Sequence, residues 1–257
     1  MEPSIKSSPV LLAVCGKGGV GKTSISAIVV RILAENSDSR ILAIDADPSV
    51  GLATALGFRG NRTVNDIRND LIGRIEKGES ENRQALLAAL DYEVLAALEE
   101  RENVAFLAIG RPEREGCYCK VNAMLRDIIE SVARNFDYVV IDGEAGIEQV
   151  NRRVLAIVTH LLLVSDASAK GLKVIETISS VAGLAVHYEK AGLLLNRIRD
   201  EGEKNRLSLS PAIPLIGWVP EDDGIRDADI AGRNLMEILP CPAIEAVKMA
   251  IKDFVDQ

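Results

Sequence analysis

The 257-residue chain is poor in the groups that stack, coordinate or anchor. It has one tryptophan, four tyrosines and four phenylalanines, an aromatic share of 4%. So few aromatic faces leave little on which unpaired bases could stack. A basic excess is also missing: 30 Lys+Arg stand against 38 Asp+Glu, a formal net charge of −8. A general nucleic-acid binder needs the opposite sign to displace counterions, so no nucleic-acid partner is expected. Two histidines, His160 and His187, stand apart from each other with no His-x-x-x-His spacing, which argues for structural roles. There are four cysteines, Cys15, Cys117, Cys119 and Cys241. In a reducing compartment they read as core residues, metal ligands or redox groups rather than disulfides. Long apolar runs are lacking as well. The best begins at Ile25 and is broken by Arg31, well short of the roughly 20 residues a membrane span requires. The charged opening MEPSIKSSPV does not resemble a secretory signal. The expectation is a cytoplasmic protein with no membrane contact.

Hydrophobic residues make up 47% and charged residues 26%, ordinary values for a globular chain. With aromatics scarce, the core should be aliphatic and made of helices packed on strands. Short β-rich apolar runs alternate with helix-length segments, the rhythm of an α/β fold. The patterning predicts strands at Pro9–Cys15, Arg40–Asp45, Val104–Ile109, Tyr138–Asp142, His160–Val164, Gly192–Asn196 and Leu215–Val219. Several are unbroken apolar runs, as expected where both faces of a parallel sheet are covered. Helical spacing appears at Thr23–Ala34, Arg83–Leu98, Val121–Ala133, Leu172–Ala185 and Ile244–Val255. The stretches 76–83 and 199–210 read as surface loops or helix breaks. No linker composition appears, so residues 9–257 are expected to form one domain behind a flexible extension, residues 1–8. The predicted class is α/β: a single domain with a mostly parallel central sheet flanked by helices on both faces.

The strongest chemical signal is Gly16-Lys17-Gly18-Gly19-Val20-Gly21-Lys22-Thr23, followed by Ser24. It fits G-x-x-x-x-G-K-[ST], follows a predicted strand and opens a predicted helix, the context a phosphate loop requires, so the expected domain is a single-domain P-loop NTPase. Glycines let successive N–H groups turn toward an anion, Lys22 can reach the β and γ phosphates, and the Thr23 hydroxyl can bind Mg²⁺. Two acidic strand ends complete the pattern. Ile41-Leu42-Ala43-Ile44-Asp45-Ala46-Asp47-Pro48 places two carboxylates at the C-terminal end of a strand, where ligands sit in open α/β sheets. Asp47 can orient or deprotonate an attacking water and Asp45 can assist the metal. Tyr138-Val139-Val140-Ile141-Asp142 ends in an acid suited to hold Mg²⁺ through water, and Gly146 beyond it can let the loop sense a γ-phosphate. For the base, Asn196 and Arg197 follow a buried strand and can hydrogen-bond it, with Pro220 supplying a backbone edge; a helix-capping role for Asn196 is the alternative.

The lysine just after the first glycine, Lys17, resembles the deviant Walker A motif of the nitrogenase-iron-protein, MinD and ParA class of dimeric ATPases. Within that class, Gly110-Arg111-Pro112-Glu113-Arg114-Glu115-Gly116-Cys117-Tyr118-Cys119, with Asn122 and Leu125-Arg126, is similar to the CooC-type nickel-insertion ATPases. Glu144-Ala145-Gly146-Ile147-Glu148 with Arg152-Arg153 adds to that likeness, which runs from Leu11 to about Phe254; Gly143, where the family would have Thr or Asn, departs from it. The resemblance implies ATP as the nucleotide, a homodimer in which Lys17 reaches phosphates held by the facing copy, and Ni²⁺ delivery to carbon monoxide dehydrogenase or acetyl-CoA synthase. From the residues alone, two thiolates one position apart supply half of a four-coordinate soft-metal site, for Ni²⁺ or Zn²⁺. Two such pairs across a two-fold axis would complete it. Two other readings stay open. One is an iron–sulfur electron-transfer ATPase. The other is a MinD- or ParA-like positioning switch, although the segment 243–257 lacks the basic face of a membrane-surface helix and should dock on the core.

Overall fold

The runs Ile41–Ile44 and Leu161–Val164 carry no polar residue, so a strand made from them must be covered on both faces. The computed structural model, which describes residues 8–77, 83–111, 119–143, 158–185 and 188–255, buries both runs completely inside one sheet. In chain order the elements are β1 Val10–Cys15, α1 Lys22–Ala34, β2 Ile41–Asp45, α2 Gly51–Leu56, α3 Val64–Glu76, α4 Arg83–Ala97, β3 Glu99–Arg101, β4 Val104–Ala108, α5 Cys119–Ala133, β5 Tyr138–Asp142, β6 His160–Ser165, α6 Ala169–Ala185, β7 Lys190–Ile198, α7 Glu201–Asn205, β8 Leu215–Pro220, α8 Asp223–Ile230 and α9 Pro242–Val255. The strands form an eight-stranded sheet in the order β3-β4-β2-β5-β1-β6-β7-β8. All neighbours are parallel except β3, which runs antiparallel to β4 at one edge.

Side chains alternate along each strand, and β1 shows the consequence. Ala13 and Cys15 join one core with Leu42, Ile44, Ile67, Leu125 and Ile175, under α3, α5 and α6. Leu12 and Val14 join the other with Ala43, Ile28, Leu52 and Ile251, under α1, α2 and α9. Helices therefore cover both faces, as the patterning predicts. β1 lies between β5 and β6, with the β2 and β4 strands on one side and β7 and β8 on the other. The crevice at its C-terminal end is where ligands bind in open α/β sheets.

The structure adds elements that the apolar pattern did not reveal. β3, α2, α3 and α8 were not expected, and α7 occupies part of 199–210, which had read as a loop or helix break. That helix buries none of its five residues and is started by Asp200, whose side chain accepts a bond from the Glu203 N–H at 2.7 Å. Helix starts also move earlier: α5 begins at Cys119 rather than Val121, α6 at Ala169 rather than Leu172, and α9 at Pro242, where proline suits a first helical position. In the 76–83 stretch, Glu76 ends α3 and Arg83 opens α4, while 78–82 lie outside the described residues. So do residues 1–7 of the expected extension and His187.

Helix α9 buries Ala243, Ile244, Val247, Ala250, Ile251, Phe254 and Val255, so its apolar face is taken up by the core, as the lack of a basic face on its polar side implies. His160 is a packed residue: its ring meets Phe254 edge-on at 5.2 Å and its Nδ1 lies 2.8 Å from the Thr159 hydroxyl. Cys15 is buried at the end of β1, and burial pushes its thiol up to about 12, an inert state. No helix among the described residues is long and apolar enough to cross a membrane.

Candidate functional site

β1 runs into the site at Gly16, where a Cβ would lie 2.1 Å from the Val164 carbonyl oxygen of β6. Only a residue without a side chain passes that contact. Gly19 and Gly21 then take left-handed conformations, with φ of 84° and 88°, which glycine adopts without steric cost. Gly21 caps α1 with no side-chain hydrogen bond. The first N–H groups of α1 therefore remain available at the positive end of the helix, the ordinary means of holding a phosphate. Lys22 is buried, and its ammonium curls over the loop to donate to the Lys17 carbonyl at 3.3 Å.

Two carboxylates stand side by side at the strand ends, since Asp45 and Asp142 are register partners between β2 and β5. Asp142 accepts hydrogen bonds from the Thr23 hydroxyl at 2.7 Å and the Ser26 hydroxyl at 2.9 Å. Burial raises its pKa to about 6 against those two bonds and the Lys22 charge. Asp45 is fully buried and accepts from the Asp47 N–H at 3.1 Å and the Leu52 N–H at 2.8 Å. Burial, and then the charge of Asp142, pushes it up to about 7. Its oxygens thus hold the loop after β2 and the first turn of α2. Within that loop, Asp47 accepts bonds from both the N–H and the hydroxyl of Ser49, at 2.9 and 2.6 Å, in an Asx-type turn. Val50, next in the chain, has φ of 52°, a costly conformation for a β-branched residue.

Asn196 and Arg197 sit against the phosphate loop. Asn196 donates to the Val20 carbonyl at 2.8 Å and Arg197 to the Gly19 carbonyl at 3.1 Å. Arg197 has φ of 58° where β7 and β8 slip in register, and that irregularity lets both consecutive side chains reach the loop. Neither caps a helix. Beside them a cavity of about 430 Å³ is lined by Ser24, Ile25, Ile28, Val219, Pro220 and Ala243, with Glu221, Asp222 and Asp223 among its acidic residues. Lys17 lies at the mouth, with its ammonium 4.0 Å from the Asp166 carboxylate.

The structure thus gathers Gly16 through Ser24, Asp45, Asp47, Asp142, Asn196, Arg197 and Pro220 around one crevice. Ser26 was missed by sequence reasoning; its signal is a serine three residues after Thr23, one helical turn along the same face. Cys117, Glu144, Gly146, Arg152 and Arg153 lie outside the described residues, as does the side chain of Cys119. Among the described residues no group of three or more His, Cys, Asp or Glu is arranged to hold a metal ion. Cys241 is half-buried beside Asp222, and burial raises its thiol pKa.

Comparison with known proteins places this crevice in context. The CobQ/CobB/MinD/ParA nucleotide binding domain matches residues 11–235. An uncharacterized ATP-binding protein of Methanocaldococcus jannaschii is 35% identical over 231 residues, covering 89% of this chain and 91% of its own length. The carbon monoxide dehydrogenase accessory protein CooC of Rhodospirillum rubrum is 27% identical over 250 residues, covering 89% and 90%. Among solved structures, the MinC:MinD cell division protein complex of Aquifex aeolicus has a fold of TM-score 0.67 at 20% identity, covering 95% of each chain.

The paired carboxyls give the site a pH signature. Both titrate higher in the folded chain, at about 7 and about 6, than the ordinary 3.8. Protonation therefore favours folding, and this contribution fades as pH rises through those values. Without nucleotide and Mg²⁺, Asp45→Asn should gain stability relative to wild type as pH rises from about 4 to about 7 and level off above that, measured as the difference in unfolding temperature. A difference that stays constant or shrinks across that range contradicts the assignment.

Proposed function

Because the chain belongs to the CobQ/CobB/MinD/ParA nucleotide-binding family, we propose that it is a dimeric ATPase whose cycle loads and delivers a soft metal ion, Ni²⁺ or Zn²⁺, to carbon monoxide dehydrogenase or acetyl-CoA synthase. The observation that carries the ATPase is the buried Asp142 carboxylate, bonded by the Thr23 hydroxyl directly beneath the phosphate loop. The Thr23 proton points at Asp142, so the lone pairs of its oxygen remain for a cation. Hard oxygen donors of this kind fit Mg²⁺, with Thr23 as a direct ligand, Asp142 acting through water and Asp45 supporting the arrangement. Bound there, the ion would neutralise charge on the β and γ phosphates.

The remaining chemistry belongs to the chain. The α1 N-terminus, the loop N–H groups and Lys22 hold the triphosphate and stabilise charge on the leaving ADP. Asp47, on the loop braced by Asp45, orients water for attack on the γ-phosphorus and takes its proton as the new P–O bond forms and the bond to ADP breaks. Asn196 commits its amide nitrogen to Val20, which leaves its carbonyl oxygen as an acceptor. An acceptor suits the adenine amino group and repels the guanine carbonyl. The neighbouring cavity, with its apolar Ile25, Ile28 and Val219 walls and the Pro220 backbone, takes the base, with Arg197 and Ser24 at its side.

The metal reading is supported by Cys117-x-Cys119, which closes on the first residue of α5, and by the likeness to CooC. One pair from each copy would make a four-sulfur site on a two-fold axis. A MinD- or ParA-like positioning switch shares the same motor, and an iron–sulfur ATPase would use the same cysteines. The occupant of the cysteines separates the three.

Three measurements test these assignments. Lys22→Ala should abolish ATP binding, whereas Asp47→Asn should bind ATP within a few-fold of wild type and lose roughly 100-fold or more in turnover; wild-type turnover in Asp47→Asn refutes its role. Calorimetry should find one Ni²⁺ or Zn²⁺ per two chains, with tight binding lost in Cys117→Ala or Cys119→Ala. One ion per chain, insensitive to either change, contradicts the shared site. A brown protein with a visible charge-transfer band indicates the iron–sulfur alternative.

A further inference from the structure

Asp166, which belongs to no part of the nucleotide site described above, follows the end of β6. β6 pairs with β1, and Gly16 packs against the Val164 carbonyl, so this strand end borders the mouth of the phosphate loop. One carboxylate oxygen of Asp166 accepts from the Ser168 N–H at 3.2 Å and the Ser168 hydroxyl at 2.6 Å. The Ser168 oxygen in turn accepts from the Gly171 N–H at 3.0 Å, in the first turn of α6. Gly171 itself makes room: a Cβ there would lie 2.3 Å from that same Asp166 oxygen and 2.7 Å from the Ser165 hydroxyl. The carboxylate is therefore held by its own loop. Its second oxygen faces the Lys17 ammonium at 4.0 Å, with the two side chains 29% and 32% exposed.

We propose that Asp166 is a positioning residue for Lys17, holding its ammonium on the α6 side of the loop mouth in the isolated chain, so that ATP-driven dimerisation must first release it. The proposal rests on the reading of Lys17 as the residue that reaches phosphates bound by a second copy. The geometry sets the scale. The acid is fixed on one side and the lysine is half-exposed at the far limit of an ion pair, so the contact restrains Lys17 without locking it. Pairs of this kind shift an equilibrium by roughly two- to five-fold and are screened by salt. A latch of that strength disfavours dimers lacking ATP, yet phosphate charge from a facing nucleotide overcomes it. Lys22, by contrast, is buried and bonded to the loop backbone, which separates the lysine that binds from the lysine that moves.

The test is the ATP-dependent dimer dissociation constant of the metal-free full chain, by light scattering or sedimentation. Asp166→Asn keeps the oxygen that accepts from Ser168, so the loop should stay folded. It should dimerise roughly two- to five-fold more tightly than wild type at low ionic strength, with the difference closing at high salt, and Asp166→Glu should return toward wild type. Dimerisation by Asp166→Asn that equals or falls below wild type at low salt overturns the latch. ATP affinity provides a control: an equal gain on adding Asp166→Asn to wild type and to Lys17→Gln would show a bulk charge effect and also overturn it. Lys17→Ala that dimerises like wild type would instead refute the cross-dimer reading of Lys17, a failure distinct from that of Asp166.

Discussion

The contact on which the site depends is a buried carboxylate held by two hydroxyls. Asp142 ends β5, Thr23 and Ser26 lie on α1, and their bonds of 2.7 and 2.9 Å join the sheet to the helix that carries the phosphate loop. A carboxylate only 1% exposed is costly unless its oxygens are bonded. The arrangement therefore fixes α1 against β5 and leaves a polar focus beside the helix N-terminus. Asp45 extends the constraint to β2, where it holds the loop bearing Asp47 by two backbone N–H groups. Asn196 and Arg197 extend it on the other side, by holding the Val20 and Gly19 carbonyls from β7. The phosphate loop is thus tied to several strands of one sheet.

Charge explains why this arrangement calls for a cation. Asp45 and Asp142 are neighbours across two parallel strands, and burial raises both pKa values. A divalent ion nearby would favour their charged forms and reverse that shift. The sheet supplies acids at its C-terminal edge and α1 supplies N–H donors. Between them lies a place where Mg²⁺ and phosphate oxygens would neutralise each other.

Much of this was legible in the sequence because the phosphate loop encodes backbone geometry directly. Gly16, Gly19 and Gly21 sit where contact or φ demands glycine, and the spacing to Lys22 and Thr23 follows from the start of α1. The buried strands were legible for a related reason, since unbroken runs such as Leu161–Val164 have no solvent-facing alternative. Elements with little apolar content left no such trace. α8 buries only Ala228, α7 buries nothing, and β3 is three polar residues at a sheet edge. The partnership of Ser26 with Asp142 spans 116 positions and depends on tertiary packing, as does the approach of Asp166 to Lys17. Asn196 and Arg197 stood out in the sequence only as polar residues ending a buried strand, and their hold on the loop carbonyls was not legible. That depends on a register slip between β7 and β8.

If the Asp142 contact is what makes the phosphate-binding loop hydrolytic, removing its charge should stop turnover. The most direct test is the steady-state ATP turnover of Asp142→Asn at saturating Mg²⁺, with circular dichroism confirming the fold. Asparagine keeps the volume and one accepting oxygen but loses the charge that would hold the cation. Turnover should fall roughly 100-fold or more, with ATP binding in the absence of Mg²⁺ little changed. Turnover within about two-fold of wild type would contradict that role for Asp142.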